Sequence, residues 1–197
     1  MTDPKTLAIY AEKAGEYAEL TDAINTEDPM LASFIAAIPA GGAVLDLGCG
    51  PGASAAVMAR AGLKVTATDA VPEMVAMAKT HPGVSATVAT FDDISGTDVF
   101  DGIWASFSLL HAPRDAMPRH LQALAQALKP GGVLYIAVKT GTGSHRDSLG
   151  RLYTYYTDAE LTGLLADVGL NVTIRKTGTT PGLSGEEAPW IAMMTHA

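Results

Sequence analysis

The chain of 197 residues is long enough for one domain with a substantial hydrophobic core. Its formal net charge of −8 disfavours electrostatic capture of DNA, RNA or an anionic membrane, and no apolar stretch reaches membrane-spanning length. The single cysteine excludes an intrachain disulfide framework and fits a reducing compartment. Because the first ten residues lack a basic and an apolar leader region, we expect a cytoplasmic protein that binds neither nucleic acid nor membrane.

Two helical segments are predicted before the first strand, at residues 5–20 and about 29–38. Tyr10 and Tyr17 are seven residues apart and therefore share one face of the first helix. Two interpretations are open. The tyrosines either pack this helix onto the domain, or the helix forms a cap over a binding site. We describe residues 1–38 as an N-terminal helical cap on one domain that spans the whole chain.

The most informative segment is AVLDLGCGPGAS, residues 43–54. A short apolar run reaches Asp46. Three glycines then follow at alternate positions, Gly48, Gly50 and Gly52, before a helical stretch rich in small residues. Glycines at this density let a ligand approach the main chain, and the free N–H groups of the helix point toward it. The spacing differs from the G-x-G-x-x-G turn that binds a pyrophosphate. A carboxylate at Asp46 suits an ammonium group, or a water beneath a cationic ligand.

The next elements place an acidic residue at a strand end. Residues 64–69 alternate and are rich in β-branched side chains, which predicts a strand that ends at Asp69. Asp69 lies 19 residues after Gly50, the usual distance for an acid that accepts hydrogen bonds from ribose hydroxyls. A helix is predicted over 71–79, and Met74 lies on its early face.

The rest of the central region alternates between strands and helices. Strands are predicted at 85–90, 100–106 and 132–139, with a helix at about 115–128 before the last of them. The segment LKPGG ends that helix. The fifth strand, GVLYIAVK, is almost entirely apolar, as expected for a strand that is buried on both faces of a sheet.

The segment over 140–156 is rich in glycine, serine, threonine and charged residues. It leaves the carboxyl end of a central strand, the edge at which open α/β sheets bind ligands. A connection of this length usually has a role, so we predict a lid loop over the acceptor, and its glycines would allow it to move. Arg146 and Arg151 would clamp an anionic group, or they would pair with Asp147 or Asp158. A capped helix and two strands complete the chain.

Four motifs together resemble the class I S-adenosylmethionine-dependent methyltransferases, in particular the small bacterial members of types 11 and 12. They are DLGCGPG, the acid that ends the second strand, FDxIxxxxxLxH and LKPGGxLxxxxK, which occur in the family's order over about the middle half of the chain. The resemblance implies an α/β fold with a doubly wound, seven-stranded sheet. Its strand order would be 3-2-1-4-5-7-6, mostly parallel, with helices on both faces and the last strand antiparallel.

The resemblance also implies S-adenosylmethionine as cofactor and S-adenosylhomocysteine as product. The implied cofactor-binding residues are Asp46, Gly48, Cys49, Gly50, Asp69, Ala70, Met74, Phe91, Asp92 and Ser106. Asp69 would hold the ribose and Asp92 the adenine amino group. Phe91 and Met74 would cover the adenine ring. Ser106 would face the methionine portion through its backbone. The acceptor would meet Tyr17 from the cap, together with Arg146 and Arg151 from the lid.

The implied reaction is methyl transfer to a small-molecule acceptor, held in line behind a methyl group that is already activated. Such proximity lowers a barrier by roughly 7–11 kcal/mol. His111 is the first candidate for a general base; alternatively, it is a structural histidine that hydrogen-bonds the turn over 112–114. Weaker candidates are Tyr153, Tyr155, Tyr156 and His145. No pattern selects oxygen, nitrogen, sulfur or carbon as the acceptor atom.

Cys49 and the histidines bear on other chemistries. Cys49 is either a reactive thiol near a helix N-terminus or a small residue whose backbone faces the cofactor, and we favour the second interpretation. The five histidines are scattered, so no metal site is predicted.

Three other function classes share features with this sequence. A non-catalytic S-adenosylmethionine-binding module would keep every binding residue named above but would lack an acceptor cavity. A nicotinamide-dependent reductase shares the sheet and the ribose acid, but the glycine spacing and the LKPGG element count against it. An interaction protein with a vestigial fold would have lost the glycines or the ribose acid.

Overall fold

A computed structural model of the protein describes residues 3–25 and 28–197. The strands are β1 (Ala43–Leu47), β2 (Lys64–Asp69), β3 (Val84–Val88), β4 (Phe100–Ser106), β5 (Leu128–Lys139), β6 (Ser144–Arg146), β7 (Leu152–Thr154), β8 (Asn171–Pro181) and β9 (Glu187–His196). The helices are α1 (Pro4–Glu12), α2 (Ala14–Asn25), α3 (Pro29–Ala37), α4 (Ala53–Arg60), α5 (Pro72–Ala78), α6 (Met117–Ala127) and α7 (Asp158–Ala166). None of the helices in the described ranges combines the length and apolar character needed to cross a bilayer.

Seven of the strands form one sheet in the order β3-β2-β1-β4-β5-β9-β8. Strands β1 to β5 are parallel, and β9 runs antiparallel to both of its neighbours. The hairpin of β6 and β7 lies outside this sheet. When the sheet strands alone are counted in chain order, their arrangement is therefore 3-2-1-4-5-7-6. The predicted doubly wound α/β fold is confirmed.

Helices cover both faces of the sheet and explain the apolar run in β5. Buried side chains of α3, α4 and α5 pack on one face, and those of α6 and α7 pack on the other. Along β5, Tyr135 and Ala137 join the first of these two cores, whereas Leu134 and Ile136 join the second. Both sides of β5 are thus removed from water, so polar residues do not alternate along it.

Three predicted elements differ from the structure. The helix predicted over 5–20 is divided, because Lys13 leaves helical backbone geometry between α1 and α2. The segment over 140–156, predicted as a lid loop, contains the β6–β7 hairpin. Strand β5 begins at Leu128 rather than at residue 132, because the chain is already extended where α6 ends. A register shift between β4 and β5 accommodates the additional residues.

Gly102 of β4 packs closely against the C-terminal part of α3, and this contact provides a test of the packing. A Cβ at position 102 would lie 2.5 Å from Cδ1 of Ile38 and 2.7 Å from Cζ of Phe34, both of which are buried side chains. We expect Gly102→Ala to lower the free energy of unfolding, measured by urea denaturation, by about 1–3 kcal/mol, the usual cost of overpacking a core.

Gly163→Ala is the matched control for this experiment. Gly163 is exposed on α7, and an added Cβ there would meet nothing within 4 Å. Alanine restricts the unfolded chain more than glycine does, so this variant should gain about 0.4–1 kcal/mol of stability. Equal stability of the two variants would contradict the close packing of α3 on β4.

Candidate functional site

The turn between β1 and α4 requires glycine for both backbone conformation and space. Gly48 and Gly50 have φ angles of 69° and 52°, a region that residues with a side chain rarely adopt. A Cβ at Gly48 would lie 2.4 Å from Cβ of Ser108, and one at Gly50 would lie 3.2 Å from the Tyr17 ring. The close neighbours are thus the loop after β4 and helix α2. The bare backbone of this turn borders two adjoining cavities.

Asp69, at the end of β2, connects this turn to the start of α5. Its Oδ2 accepts a hydrogen bond from the Gly50 N–H, and its Oδ1 accepts one from the Val71 N–H, each at 2.9 Å. Burial raises the pKa of Asp69, and the backbone N–H groups of Val71, Gly50 and Ala70 oppose that shift. A carboxylate has about four lone-pair sites, so Asp69 can still accept a hydrogen bond from a ligand, and it lines the smaller cavity.

Asp46, at the end of β1, is a buried carboxyl group with an unpaired oxygen. Only 3 % of the residue is exposed, and its Oδ2 finds no hydrogen-bond partner within residues 3–25 and 28–197. Burial raises the pKa of Asp46 to about 7, with a further contribution from the negative charge of Asp69. Because Asp46 lines the larger cavity, a cationic group of a ligand would supply the missing partner.

The two cavities meet at the carboxyl ends of β1, β2 and β4. The small cavity, of about 70 Å³, is bordered by Asp69, Met74 and Phe91 and is covered by Thr6 and Leu7 of α1. The large cavity, of about 520 Å³, extends from Asp46 over the carboxyl ends of β4 and β5. The predicted site residues that line one cavity or both are Tyr17, Asp46, Gly48, Cys49, Gly50, Asp69, Ala70, Met74, Phe91, Ser106, His111 and Arg151.

A buried hydrogen-bonded chain joins α1, the loop after β4 and the hairpin. His111 Nδ1 lies 2.8 Å from the Leu152 carbonyl and Nε2 lies 3.0 Å from the Tyr10 hydroxyl. Since a carbonyl can only accept, Nδ1 carries the proton and Nε2 accepts from Tyr10. Burial lowers the pKa of His111 to about 4, so the ring is neutral at about pH 7. The predicted hydrogen bond to the turn over 112–114 is therefore wrong, because Tyr10 and Leu152 occupy both ring nitrogens.

Arg151 completes the same chain of contacts. Its Nε and Nη2 donate to Asp147 Oδ2 at 2.9 and 2.6 Å, and its Nη1 donates to the Tyr10 hydroxyl at 3.0 Å. Only 1 % of Arg151 and 3 % of Asp147 is exposed as side chain. Arg151 is thus neutralised by its own neighbour, as the alternative interpretation expected, and its charge is not available to clamp an anion.

Arg146 and Asp92 lie outside both cavities. Arg146 makes a two-pronged ion pair with Asp3, which caps α1, and both N–O distances are 2.9 Å. Arg146 therefore fastens the hairpin to α1 rather than facing an acceptor. Asp92 accepts from Arg119 Nη2 of α6 at 2.6 Å, and that guanidinium lowers the pKa of Asp92. In this structure the predicted adenine contact thus engages an arginine of α6.

Cys49 and the weaker candidates for a general base differ in their burial and in their contacts. Cys49 is buried, and burial raises the pKa of its thiol, which argues against a reactive thiolate. Among the weaker candidates, Tyr153 lines the large cavity. Tyr156 is fully buried, and the exposed His145 bonds the Thr142 carbonyl. Within the described ranges, no group of three or more histidine, cysteine or acidic side chains could hold a metal ion.

Several lining residues of the large cavity were not predicted. They include Trp104, Phe107, Tyr135, Lys139 and Trp190. The place of Lys139 could have been predicted from the sequence, because this residue ends the fifth strand at the ligand-binding edge of the sheet. Trp190 had none, because only the pairing of β9 with β5 places it opposite Lys139.

Sequence comparisons agree with this arrangement of residues. A family profile described as a methyltransferase domain matches residues 44–132. A ubiquinone biosynthesis O-methyltransferase from Xanthomonas axonopodis pv. citri is 36 % identical over 111 residues, which cover 53 % of this chain and 46 % of that relative. The chain thus spans about half the length of the curated relatives it matches.

Solved structures show the same fold. An S-adenosylmethionine-dependent methyltransferase from Methanosarcina mazei superposes with a TM-score of 0.74 at 20 % identity, covering 86 % of this chain and 97 % of that chain. A 1,6-didemethyltoxoflavin-N1-methyltransferase from Burkholderia thailandensis, with bound 1,6-didemethyltoxoflavin and S-adenosylhomocysteine, superposes with a TM-score of 0.73 at 24 % identity. That match covers 96 % of this chain and 87 % of that chain.

Asp69 provides the first test of the site. We predict that Asp69→Ala abolishes binding of S-adenosylhomocysteine, measured by calorimetry, while circular dichroism shows the fold retained. Two hydrogen bonds to a carboxylate are worth more than about a hundredfold in affinity. Glu73→Ala, which removes an exposed acid from α5, should bind normally. Unchanged affinity in Asp69→Ala would exclude Asp69 from the site.

Asp46 provides a test based on pH. The folded chain holds the Asp46 proton more tightly than the unfolded chain, so the stability from this group is complete below about pH 4. It is lost as the pH rises through the folded-state pKa of about 7. Between about pH 5 and 7, unfolding in urea should show the wild-type protein losing about 2–3 kcal/mol more than Asp46→Asn. Parallel curves for the two proteins would show that Asp46 titrates normally.

Proposed function

We propose that the chain is a class I S-adenosylmethionine-dependent methyltransferase that transfers a methyl group from this cofactor to a small-molecule acceptor, because a methyltransferase-domain profile matches residues 44–132 and the named relatives are methyltransferases. The observation that carries the proposal is the continuity of the large cavity. The glycine turn, Asp46 and Ser106 line this cavity together with five aromatic side chains that we call the aromatic chamber, namely Trp104, Phe107, Tyr135, Tyr153 and Trp190. A cofactor on the turn and an acceptor in the chamber would therefore face each other.

The residues of the site fit the proposed cofactor. S-adenosylmethionine supplies a methyl group that is already activated by the positive charge on sulfur. Asp46 offers an unpaired carboxylate oxygen to a cationic group. Asp69 offers lone pairs to ribose hydroxyls, and Met74 and Phe91 offer apolar surface in the small cavity. Asp92, paired with Arg119, would contact the adenine only after that ion pair rearranges.

The catalytic contribution of the chain is positioning. We assign His111 to this role, because both of its ring nitrogens are engaged by Leu152 and Tyr10. The ring holds α1 against the hairpin, and α1 with α2 covers the small cavity. The N-terminal helices thus exclude water and restrict the reactants, which is the source of the rate advantage in an in-line displacement.

The names of the relatives and the size of the large cavity favour an enzyme over the other function classes. The Xanthomonas relative is named for ubiquinone biosynthesis, and the Burkholderia structure holds 1,6-didemethyltoxoflavin. A non-catalytic binding module would need no acceptor chamber, whereas the large cavity measures about 520 Å³, within the usual range for ligand sites. We also propose that the protein is cytoplasmic.

Calorimetric titration of the purified chain tests the proposal. We expect S-adenosylmethionine and S-adenosylhomocysteine to bind in the micromolar range and NADH not to bind. The carboxylate of Asp46 favours a cation over a pyrophosphate. Binding of NADH alone would support the reductase. Absence of binding by all three compounds would contradict both enzyme classes.

A further inference from the structure

The walls of the large cavity are aromatic and are built by strand pairing. Trp104 of β4 and Tyr135 of β5 are direct cross-strand partners, and their rings stack with centroids 3.6 Å apart and planes 9° apart. Trp190 of β9 lies further along the same face, and its ring meets the edge of Phe107 at 6.1 Å and 90°. Trp104 and Tyr135 are only 1 % and 3 % exposed, so the half-buried rings of Trp190 and Phe107 are the ones that leave surface for a planar ligand.

The backbone holds Trp190 in this wall. Its partner on β8 is Gly178, and a Cβ at that position would lie 2.4 Å from Cζ2 of the indole. The glycine therefore leaves the space in which the indole rests against β8. The indole Nε1 is buried and has no acceptor among the described residues.

Lys139 brings a positive charge into this chamber. It is the cross-strand partner of Trp190, so both side chains leave the same face of the sheet. Its Nζ lies 3.9 Å from the centre of the Tyr153 ring. Within residues 3–25 and 28–197 this ammonium group forms no ion pair or hydrogen bond.

The surroundings of Lys139 leave its charge unbalanced. Burial lowers the pKa of Lys139, and the nearby Arg151 adds to that effect. Asp147 and Glu186 oppose it from a distance, but Asp147 is already bonded to Arg151. A half-buried ammonium whose only close partner among the described residues is the face of the Tyr153 ring, without an ion pair or hydrogen bond, costs free energy that a bound anion would recover.

We propose that the methyl acceptor is a planar aromatic molecule that carries an anionic oxygen, and that Lys139 binds this oxygen while Trp190 packs against the ring. The inference rests on the proposed methyl transfer and names the acceptor class. In this proposal the large cavity has a negatively charged end and a positively charged end. Asp46 faces the cationic cofactor, and Lys139 faces the anionic acceptor.

The anionic oxygen has two possible chemical sources, an ionised phenolic hydroxyl or a ring carboxylate. In the first case the oxygen itself can attack. Its lone pair forms the new O–C bond, the S–C bond breaks, and that electron pair stays on sulfur to give a neutral thioether. No proton has to move in this step, which agrees with the engaged ring of His111. In the second case the carboxylate anchors the ring.

The first experiment compares two probes of the same shape, 2-naphthoate and its uncharged amide, 2-naphthamide. Each is titrated calorimetrically into the chain loaded with S-adenosylhomocysteine. We expect the wild-type protein to prefer the acid by about tenfold, the value of one charge-assisted hydrogen bond. Lys139→Met should bind both probes equally, with unchanged affinity for the amide. Lys64→Met, which removes an exposed lysine at the start of β2, is the matched control and should keep the preference.

Three outcomes would overturn the inference. They are a preference that persists in Lys139→Met, a preference lost only in Lys176→Met on the cavity rim, and binding of neither probe to the wild-type protein. Binding of S-adenosylhomocysteine is measured first on every variant. Its absence in the wild-type protein contradicts the proposed cofactor, whereas its presence without a preference for the acid contradicts only the acceptor class.

Two further measurements separate the source of the charge from the role of the ring. The apparent pKa of bound 4-nitrophenol, followed by the visible absorbance of its ionised form, should fall on the wild-type protein and not on Lys139→Met if the oxygen is phenolic. An unchanged value together with a naphthoate preference assigns the carboxylate. Gly178→Ala, which displaces the indole, should weaken both naphthalene probes by the same factor. Unchanged affinity there would remove Trp190 from the proposed site.

Discussion

The hydrogen bonds of the Asp69 carboxylate connect the parts of the site that lie far apart in sequence. One oxygen accepts from Gly50 in the turn after β1, and the other accepts from Val71 at the start of α5. The two loops that border the small cavity thus share one anchor at neighbouring strand ends. Parallel strands place these ends at one edge of the sheet, and the carboxylate fixes the distance between them. The cavities depend on this arrangement.

Ion pairs neutralise both arginines of the β6–β7 hairpin segment. Arg151 is matched by Asp147 and Arg146 by Asp3. The Arg146–Asp3 pair and the hydrogen bond from Arg151 to Tyr10 join α1 to the hairpin. These arginines serve the architecture of the cover and not the binding of an anion. Lys139, in contrast, projects its charge into an aromatic chamber. In a chain with a net charge of −8, such a local positive centre would distinguish the proposed anionic acceptor from a neutral one.

The N-terminal cover illustrates how one contact can serve both packing and function. Tyr10 and Tyr17 form an edge-to-face pair at 5.4 Å, and Tyr10 also bonds His111. The two interpretations of this tyrosine pair are therefore compatible, since the packed face also borders the cavities. The break at Lys13 gives α1 and α2 separate directions over the site.

The sequence by itself determined the strands, the glycine turn and the acids at the strand ends, because these depend on local periodicity and on spacing within one strand–turn–helix unit. The order of the strands in the sheet was expected only from the resemblance to a known family. The partners of Arg146, His111 and Trp190 were decided only in the tertiary structure. Their contacts join segments up to 143 residues apart, and no local pattern encodes which charges meet or which face a distant strand presents. The local elements of the fold could therefore be predicted from neighbouring residues. The aromatic chamber could not, because it forms only through the pairing of strands that are far apart in sequence.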